Sequence, residues 1–181
     1  MALTSTMFTF DVTLSDVDRG VYESIALRMA QHPSESEDYF VTRLLAYCLE
    51  YEEGIGFSRG IADADEPPLA VRDLTGALTK WIEIGAPDAA RLHKASKASP
   101  KLAFYTAKPP EMLRRQYAGH KIHKSELIVA RGVGRETLEW VTDHLDRRLD
   151  ITIAVNDGSV YVTIGEDTHE AVLTTLSLFD A

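Results

Sequence analysis

The chain has 181 residues with 45% hydrophobic and 26% charged side chains, a composition that excludes disordered, fibrous and disulfide-stapled classes and fits one domain over 1–181. Nineteen Lys and Arg against 28 Asp and Glu give a net charge of −9, which taken as a sum argues against nucleic acid and anionic membrane as partners. A single cysteine, Cys48, leaves no intrachain disulfide or cysteine-rich zinc site and points to a reducing compartment. With no cationic residue before Arg19 and no long apolar run, the expectation is a cytoplasmic, bacterial-type protein without a leader or membrane span.

Met7 to Leu14 alternates strictly, Phe8, Phe10, Val12 and Leu14 against Thr9, Asp11 and Thr13, which predicts a half-buried strand. From Arg19 to Gln31 the positions Val21, Tyr22, Ile25, Ala26 and Met29 fall at helical spacing. A second helix is announced by Ser34 with Glu37 as a capping box, then Val41, Leu44, Leu45 and Cys48 as an apolar stripe, ending at Gly54 and Gly56. Phe57 to Ile61 reads as a strand leading into the acidic, proline-bearing segment 63–68, which suits a loop or a sheet edge.

Lys80 to Gly85 predicts a short strand, and Pro87-Asp88 starts a helix to about Ser99. Lys101 to Thr106 is a further strand, and Pro109-Pro110 open a helix to Tyr117. Glu126 to Ala130 continues the sheet, and a helix spans Arg135 to about Arg147. Ile151, Ile153 and Val155 alternate, Asn156-Asp157-Gly158 makes a hairpin turn, and Val160, Val162 and Ile164 return, with a last strand through Val172, Leu176 and Leu178. The alternation of strands and helices predicts a mixed α/β fold, a mixed sheet flanked by helices with antiparallel strands added from both terminal segments.

Most carboxylates are solvated surface in any reading, but Glu83 sits mid-strand on the face of Trp81 and Gly85, opposite Ile82 and Ile84. Burial there requires a metal, another cation or a hydrogen-bond donor, with Lys94, six residues into the following helix, as the candidate amine, while an exposed edge-strand Glu83 and a Lys94 solvated like Lys97 are the alternatives. Asp63, Asp65 and Glu66 offer oxygen ligands for a hard cation, or form a plain acidic loop. Glu35 is expected in the first turn of the second helix, where the macrodipole favours any carboxylate. His93, His120, His123, His144 and His169 show little metal-ligand spacing beyond His120-Lys121-Ile122-His123, and Cys48 reads as a packed core thiol.

Charge is uneven along the chain. Arg91 to Lys124 holds nine basic residues and one acid, Glu111, a net +8 beside −17 for the remainder. Phe104, Tyr105 and Tyr117 are interleaved with these cations, a pattern compatible with binding phosphates and stacking on bases, or with cations paired to acids elsewhere in the fold.

Over nearly its whole length the chain resembles the YaeQ family of bacterial proteins. The resemblance is carried by His32-Pro33-Ser34-Glu35, Arg43-Leu44-Leu45-Ala46, Phe57-Ser58-Arg59-Gly60, Asp65-Glu66-Pro67, Trp81-Ile82-Glu83-Ile84-Gly85 with Pro87-Asp88, and Arg91 to Ala95. It implies a variant of the restriction-endonuclease-like PD-(D/E)XK fold, in which two acids and a backbone carbonyl hold Mg²⁺ and a lysine serves the attacking water. Carried over, Glu83 and Asp65, with Glu66 close behind, look like the metal-binding acids, Ile84 like the carbonyl donor and Glu35 like an extra acid on the first core helix. Gly85 stands where the lysine is expected, so Lys94 would have to supply the amine. Two functions follow as expectations: an Mg²⁺-dependent nuclease with catalytic Glu83, Lys94, Asp65 and Glu35, or an inactive nucleic-acid-binding or adaptor protein on the same fold. In either, Arg91, Lys97, Arg114 and Arg115 would meet the nucleic-acid backbone.

Overall fold

A computed structural model describes residues 4–58 and 65–179. Ile61 and Asp63, which the sequence reading placed in a strand and an acidic cluster, lie outside the described residues. The chain divides into two compact units: Met1–Val41 with Gly134–Leu173, and Thr42–Val133 with Thr174–Ala181.

The first unit is built on a five-stranded sheet in the order β10-β9-β8-β1-β2. Strand β1 (Thr6–Asp16) buries Phe8, Phe10, Val12 and Leu14, the face its alternation marked. The next segment corrects the sequence reading: Val21–Gln31 is not a helix but strand β2, paired antiparallel with β1 through eleven residues without a register slip. The helical stripe had counted Tyr22 and Ala26, which are exposed, and passed over Leu27, which is buried with Met29 two residues on. Period two, not 3.6, describes the burial. The tight connection is shaped by Gly20 at φ 68° and by Asp16, whose carboxylate accepts from the Arg19 backbone N–H and from its Nε. A facing strand supplies eleven residues of backbone partners, and that tertiary pairing overrides a weak local preference.

Strand β8 (Arg148–Asn156) lies parallel to β1, and β9 (Ser159–Ile164) returns from it through Asp157 and Gly158 at φ 50° and 76°, the left-handed pair that a two-residue hairpin requires. Strand β10 (Asp167–Glu170), which the sequence reading lacked, completes the edge. Helix α4 (Arg135–Asp143) stops short of the expected Arg147, because the chain from Arg148 is drawn into the ladder with β1. Within the same unit Phe40 packs on Phe8 and Phe10, with ring centroids 4.8 and 6.2 Å away.

The second unit is built on a six-stranded sheet, β11-β7-β6-β5-β4-β3. Strands β3 (Ile55–Phe57), β4 (Leu69–Arg72) and β5 (Leu78–Ile84) form an antiparallel meander, while β6 (Lys101–Thr106) and β7 (Val129–Val133) run parallel to β5. The parallel steps are bridged by α2 (Ala89–Ala98) and α3 (Pro110–Tyr117), as parallel neighbours demand. A short 3₁₀ turn, Ser125–Leu127, replaces the start of the strand expected from Glu126. The last strand, β11 (Leu173–Leu176), takes the sheet edge beside β7. Trp81, Leu102, Phe104 and Ala130 form a core under α2 and α3 with Leu92, Ala95, Leu113 and Tyr117.

Helix α1 (Glu37–Leu49) passes from one unit to the other. Its cap is Ser36, whose Oγ accepts from the Tyr39 N–H, and not Ser34, whose hydroxyl is engaged by His32. In the second unit its far end presents Tyr47, stacked on Phe57, and leads to Glu50, which accepts from the Tyr105 hydroxyl at 2.7 Å. Tyr105 alternates with Phe104, so α1 covers the sheet face opposite α2 and α3. The two mixed sheets and their helices are the mixed α/β architecture the sequence predicted. Among the described residues no helix is long and apolar enough to cross a membrane.

Candidate functional site

With both faces of the second sheet covered, Trp81, Ile82, Glu83 and Ile84 are all buried, and Glu83 is only 2% exposed. A bare carboxylate there would cost several kcal/mol, so donors must meet it. Trp81, two residues earlier on the same face, donates its indole N–H to Glu83 Oε2 at 2.8 Å. Arg91 donates Nε to the same oxygen at 2.9 Å. Its guanidinium carbon lies 5.6 Å from the centre of the Trp81 ring, and its Nη2 donates to the Glu66 carbonyl at 2.9 Å. Burial pushes the Glu83 carboxyl above the ordinary carboxylate range, opposed by the Arg91 charge, the Trp81 N–H and the Ile84 N–H.

The helix start explains why Arg91 and not Lys94 reaches Glu83. Asp88 caps α2, its carboxylate accepting from the Arg91 backbone N–H at 2.7 Å, so residue 91 falls in the first turn, directly after the loop that leaves the carboxyl end of β5. Lys94, one turn further on, pairs instead with Asp65, and this pairing holds the Asp65 carboxyl below its ordinary range. The expected Lys94–Glu83 partnership is thus corrected to two neighbouring pairs, Arg91–Glu83 and Lys94–Asp65, joined by the bond from Arg91 to the Glu66 carbonyl. The signal that could have found Arg91 was in the sequence: a strong N-cap at 88 fixes which residues occupy the first turn.

Gly85 closes β5 at φ 91°, with its N–H on the Tyr105 carbonyl. The left-handed backbone there suits glycine and strains a lysine. Ile84 is buried and pairs in register with Tyr105. Tyr117 donates its hydroxyl to the Pro87 carbonyl at 2.9 Å, and burial with the nearby Glu83 and Asp88 charges raises its pKa.

Glu35 belongs to the first unit, and the structure corrects its local setting. It lies two residues before α1 rather than in its first turn, is 8% exposed, and accepts from the His32 N–H at 3.1 Å. Among the described residues no three His, Cys, Asp or Glu side chains gather as a metal-holding group. Tested on donor chemistry, the residues assigned to Mg²⁺ do not fit it as they stand: Glu83 Oε2 already accepts two N–H groups, one from a full positive charge, and Asp65 is paired with an ammonium.

The basic segment divides. Arg91 turns inward, whereas Lys97, Lys101, Lys108, Arg115, Lys121 and Lys124 are exposed and make no ion pair among the described residues. Arg114 is exposed and donates Nε to the Ser177 carbonyl at 2.8 Å. The aromatic part of the reading is overturned: Phe104 and Tyr105 are 0% and Tyr117 4% exposed, so they are core side chains and stack on no base. His93 and His123 lie side by side, ring centroids 6.3 Å apart, linked through the His123 N–H to His93 Nδ1. Cys48 is fully buried in α1 and its thiol is pushed up to about 12, the state of an unreactive core residue.

Charge also divides by unit. The first carries five arginines, no lysine and 16 carboxylates, a net −11, and the second 14 basic and 12 acidic residues, a net +2.

Comparison with known proteins gives one answer at every level. The family model described as "YaeQ protein" matches residues 1–173. The YaeQ protein of Escherichia coli strain K12 is 28% identical, covering 96% of this chain and 97% of its own. A crystal structure of YaeQ from Pseudomonas syringae superposes with a TM-score of 0.85 at 32% identity over 96% of each chain. That from Xanthomonas axonopodis pv. citri gives 0.85 at 28% over 95% of this chain and 98% of its own.

Proposed function

The chain belongs to the YaeQ family, and from that premise we propose that it is a nucleic-acid-binding protein on a nuclease-like core that has given up hydrolysis. The observation that carries this reading is the exposed run Lys97, Lys101, Lys108, Arg115, Lys121 and Lys124, unpaired among the described residues of a unit that is net positive while the other unit is strongly negative. Cations left unpaired in a net-positive unit are available to phosphates. With the aromatics buried, recognition is electrostatic and insensitive to base sequence. Absence of turnover is supported by Gly85, whose φ of 91° excludes an easy lysine, and by the prior commitment of Glu83 to Arg91.

A second reading, an Mg²⁺-dependent nuclease, is favoured by one observation: the Asp65–Lys94 pair adjoins Arg91 and Glu83, so acids and an amine from three segments do converge. One experiment separates the two. Labelled single- and double-stranded DNA and RNA are titrated with the protein at several salt concentrations, with and without Mg²⁺ or Mn²⁺, beside Glu83→Ala. The binding reading expects affinity falling steeply with salt, a log–log slope of roughly −0.9 per phosphate neutralised on duplex DNA, and no cleavage. Cleavage that Glu83→Ala abolishes establishes the nuclease instead, and salt-insensitive or absent binding defeats the first reading.

A further inference from the structure

We infer that Arg91 is the resident cation of this site: its guanidinium is the counter-ion of Glu83 and the ligand of the Glu66 carbonyl, and it fills the place a divalent ion would need to use those oxygens. The site is therefore complete without metal. This holds whether or not the protein binds nucleic acid.

Three observations converge on it. The Glu83 side chain is 3% and that of Arg91 22% exposed, so the pair is withdrawn from water and its attraction is little screened. Two donors, indole and guanidinium, share one carboxylate oxygen at 2.8 and 2.9 Å, while the other end of the guanidinium binds the backbone of the segment that carries Asp65 and Glu66. The guanidinium is held in that pose by the face of Trp81 and by the capped first turn of α2. A hard cation takes carboxylate and carbonyl oxygens at about 2.0–2.6 Å, and on these oxygens it would collide with an arginine that cannot lose its charge. Arginine in this position joins the strand, the helix and the 65–66 segment by geometry alone, independent of metal supply.

The test uses the full chain as wild type, Arg91→Met, Glu83→Gln and the double variant, melted with EDTA, Mg²⁺ or Mn²⁺. The wild-type melting temperature is expected to be indifferent to the cation. Arg91→Met leaves a buried charge without its partner and melts about 10 °C lower. Adding Glu83→Gln recovers much of that deficit. Mn²⁺ raises the melting temperature of Arg91→Met, where the vacated place accepts a cation, and leaves the double variant unchanged. Should Arg91→Met yield no folded protein, a folded double variant gives the same support, and an unfolded one counts against the inference. It is overturned if wild type is stabilised by Mg²⁺ or Mn²⁺ in a way Glu83→Gln abolishes, if the double variant is no more stable than Arg91→Met, or if Arg91→Met ignores Mn²⁺. A nucleic-acid binding failure moves none of these readings.

Discussion

Glu83 shows how a single residue's setting can be half legible. Its place in an apolar strand, facing the same way as Trp81, suited either an exposed strand edge or burial with a partner, and its 2% exposure makes the partner necessary, because an unpaired buried carboxylate is untenable. Which cation would answer was a matter of one helical turn, decided by the Asp88 cap. The same residue-scale reasoning makes Gly85→Lys a test of the lysine that the PD-(D/E)XK resemblance leads one to expect at this position. The variant must hold φ near 91°, at a cost of about 1–3 kcal/mol. It is expected to melt at a lower temperature and gain no phosphodiester cleavage, measured by thermal scan and nuclease assay.

His144 supplies a pH dependence. Its Nδ1 faces the Trp140 carbonyl at 2.7 Å and its Nε2 faces Asp167 Oδ2 at 3.4 Å, and these interactions, the Trp140 carbonyl first, raise its pKa above the ordinary 6.5. A histidine whose folded pKa is raised stabilises the folded state fully below its unfolded value, and the contribution disappears as pH rises through the folded value. The hold of β10 on α4, which also includes Thr137 with His169 and the stacked Trp140 and His169, should therefore loosen above neutrality. Hydrogen exchange at residues 167–170 across about pH 5.5–8.5 is expected to quicken at the alkaline end beyond the intrinsic rate, and His144→Gln to remove that pH dependence.

At the level of elements, strong local signals and tertiary pairing competed with different outcomes. The alternation of β1, the Asn156-Asp157-Gly158 turn, the Asp88 cap and Pro110 in the first turn of α3 were readable because each satisfies a local requirement of backbone or burial. Strand β2 was not, because its apolar residues fit both periods and only the facing strand β1 chooses between them. Strands β4 and β10, four residues each, are defined by their neighbours' hydrogen bonds more than by their own side chains. For α1, the serine that caps the helix is Ser36 and not Ser34, so Ser36→Ala is expected to cost about 1 kcal/mol and Ser34→Ala much less, measured by denaturant unfolding.

Across the whole molecule, the net charge of −9 conceals a division that follows the compact units, −11 in one and +2 in the other. The +8 segment 91–124 was visible as a run, but its division into one inward arginine and an exposed set was not. On the binding reading, removing Lys97 and Arg115 together should weaken duplex binding uniformly across sequences. It should also flatten the log–log salt slope by about 0.9 for each phosphate no longer neutralised, which fluorescence anisotropy at several salt concentrations measures.

Periodicity and capping residues determined by themselves that this is a mixed α/β protein, since each depends on residues close together in the chain, and the order and spacing of short motifs from His32 to Ala95 carried the resemblance to the YaeQ family. Only the tertiary structure decided that β2 is a strand, that the interleaved aromatics are core, and that Arg91 rather than Lys94 donates to Glu83. Those outcomes depend on which strand and which helical turn arrive at a given point in space, and no local stretch of sequence carries that information.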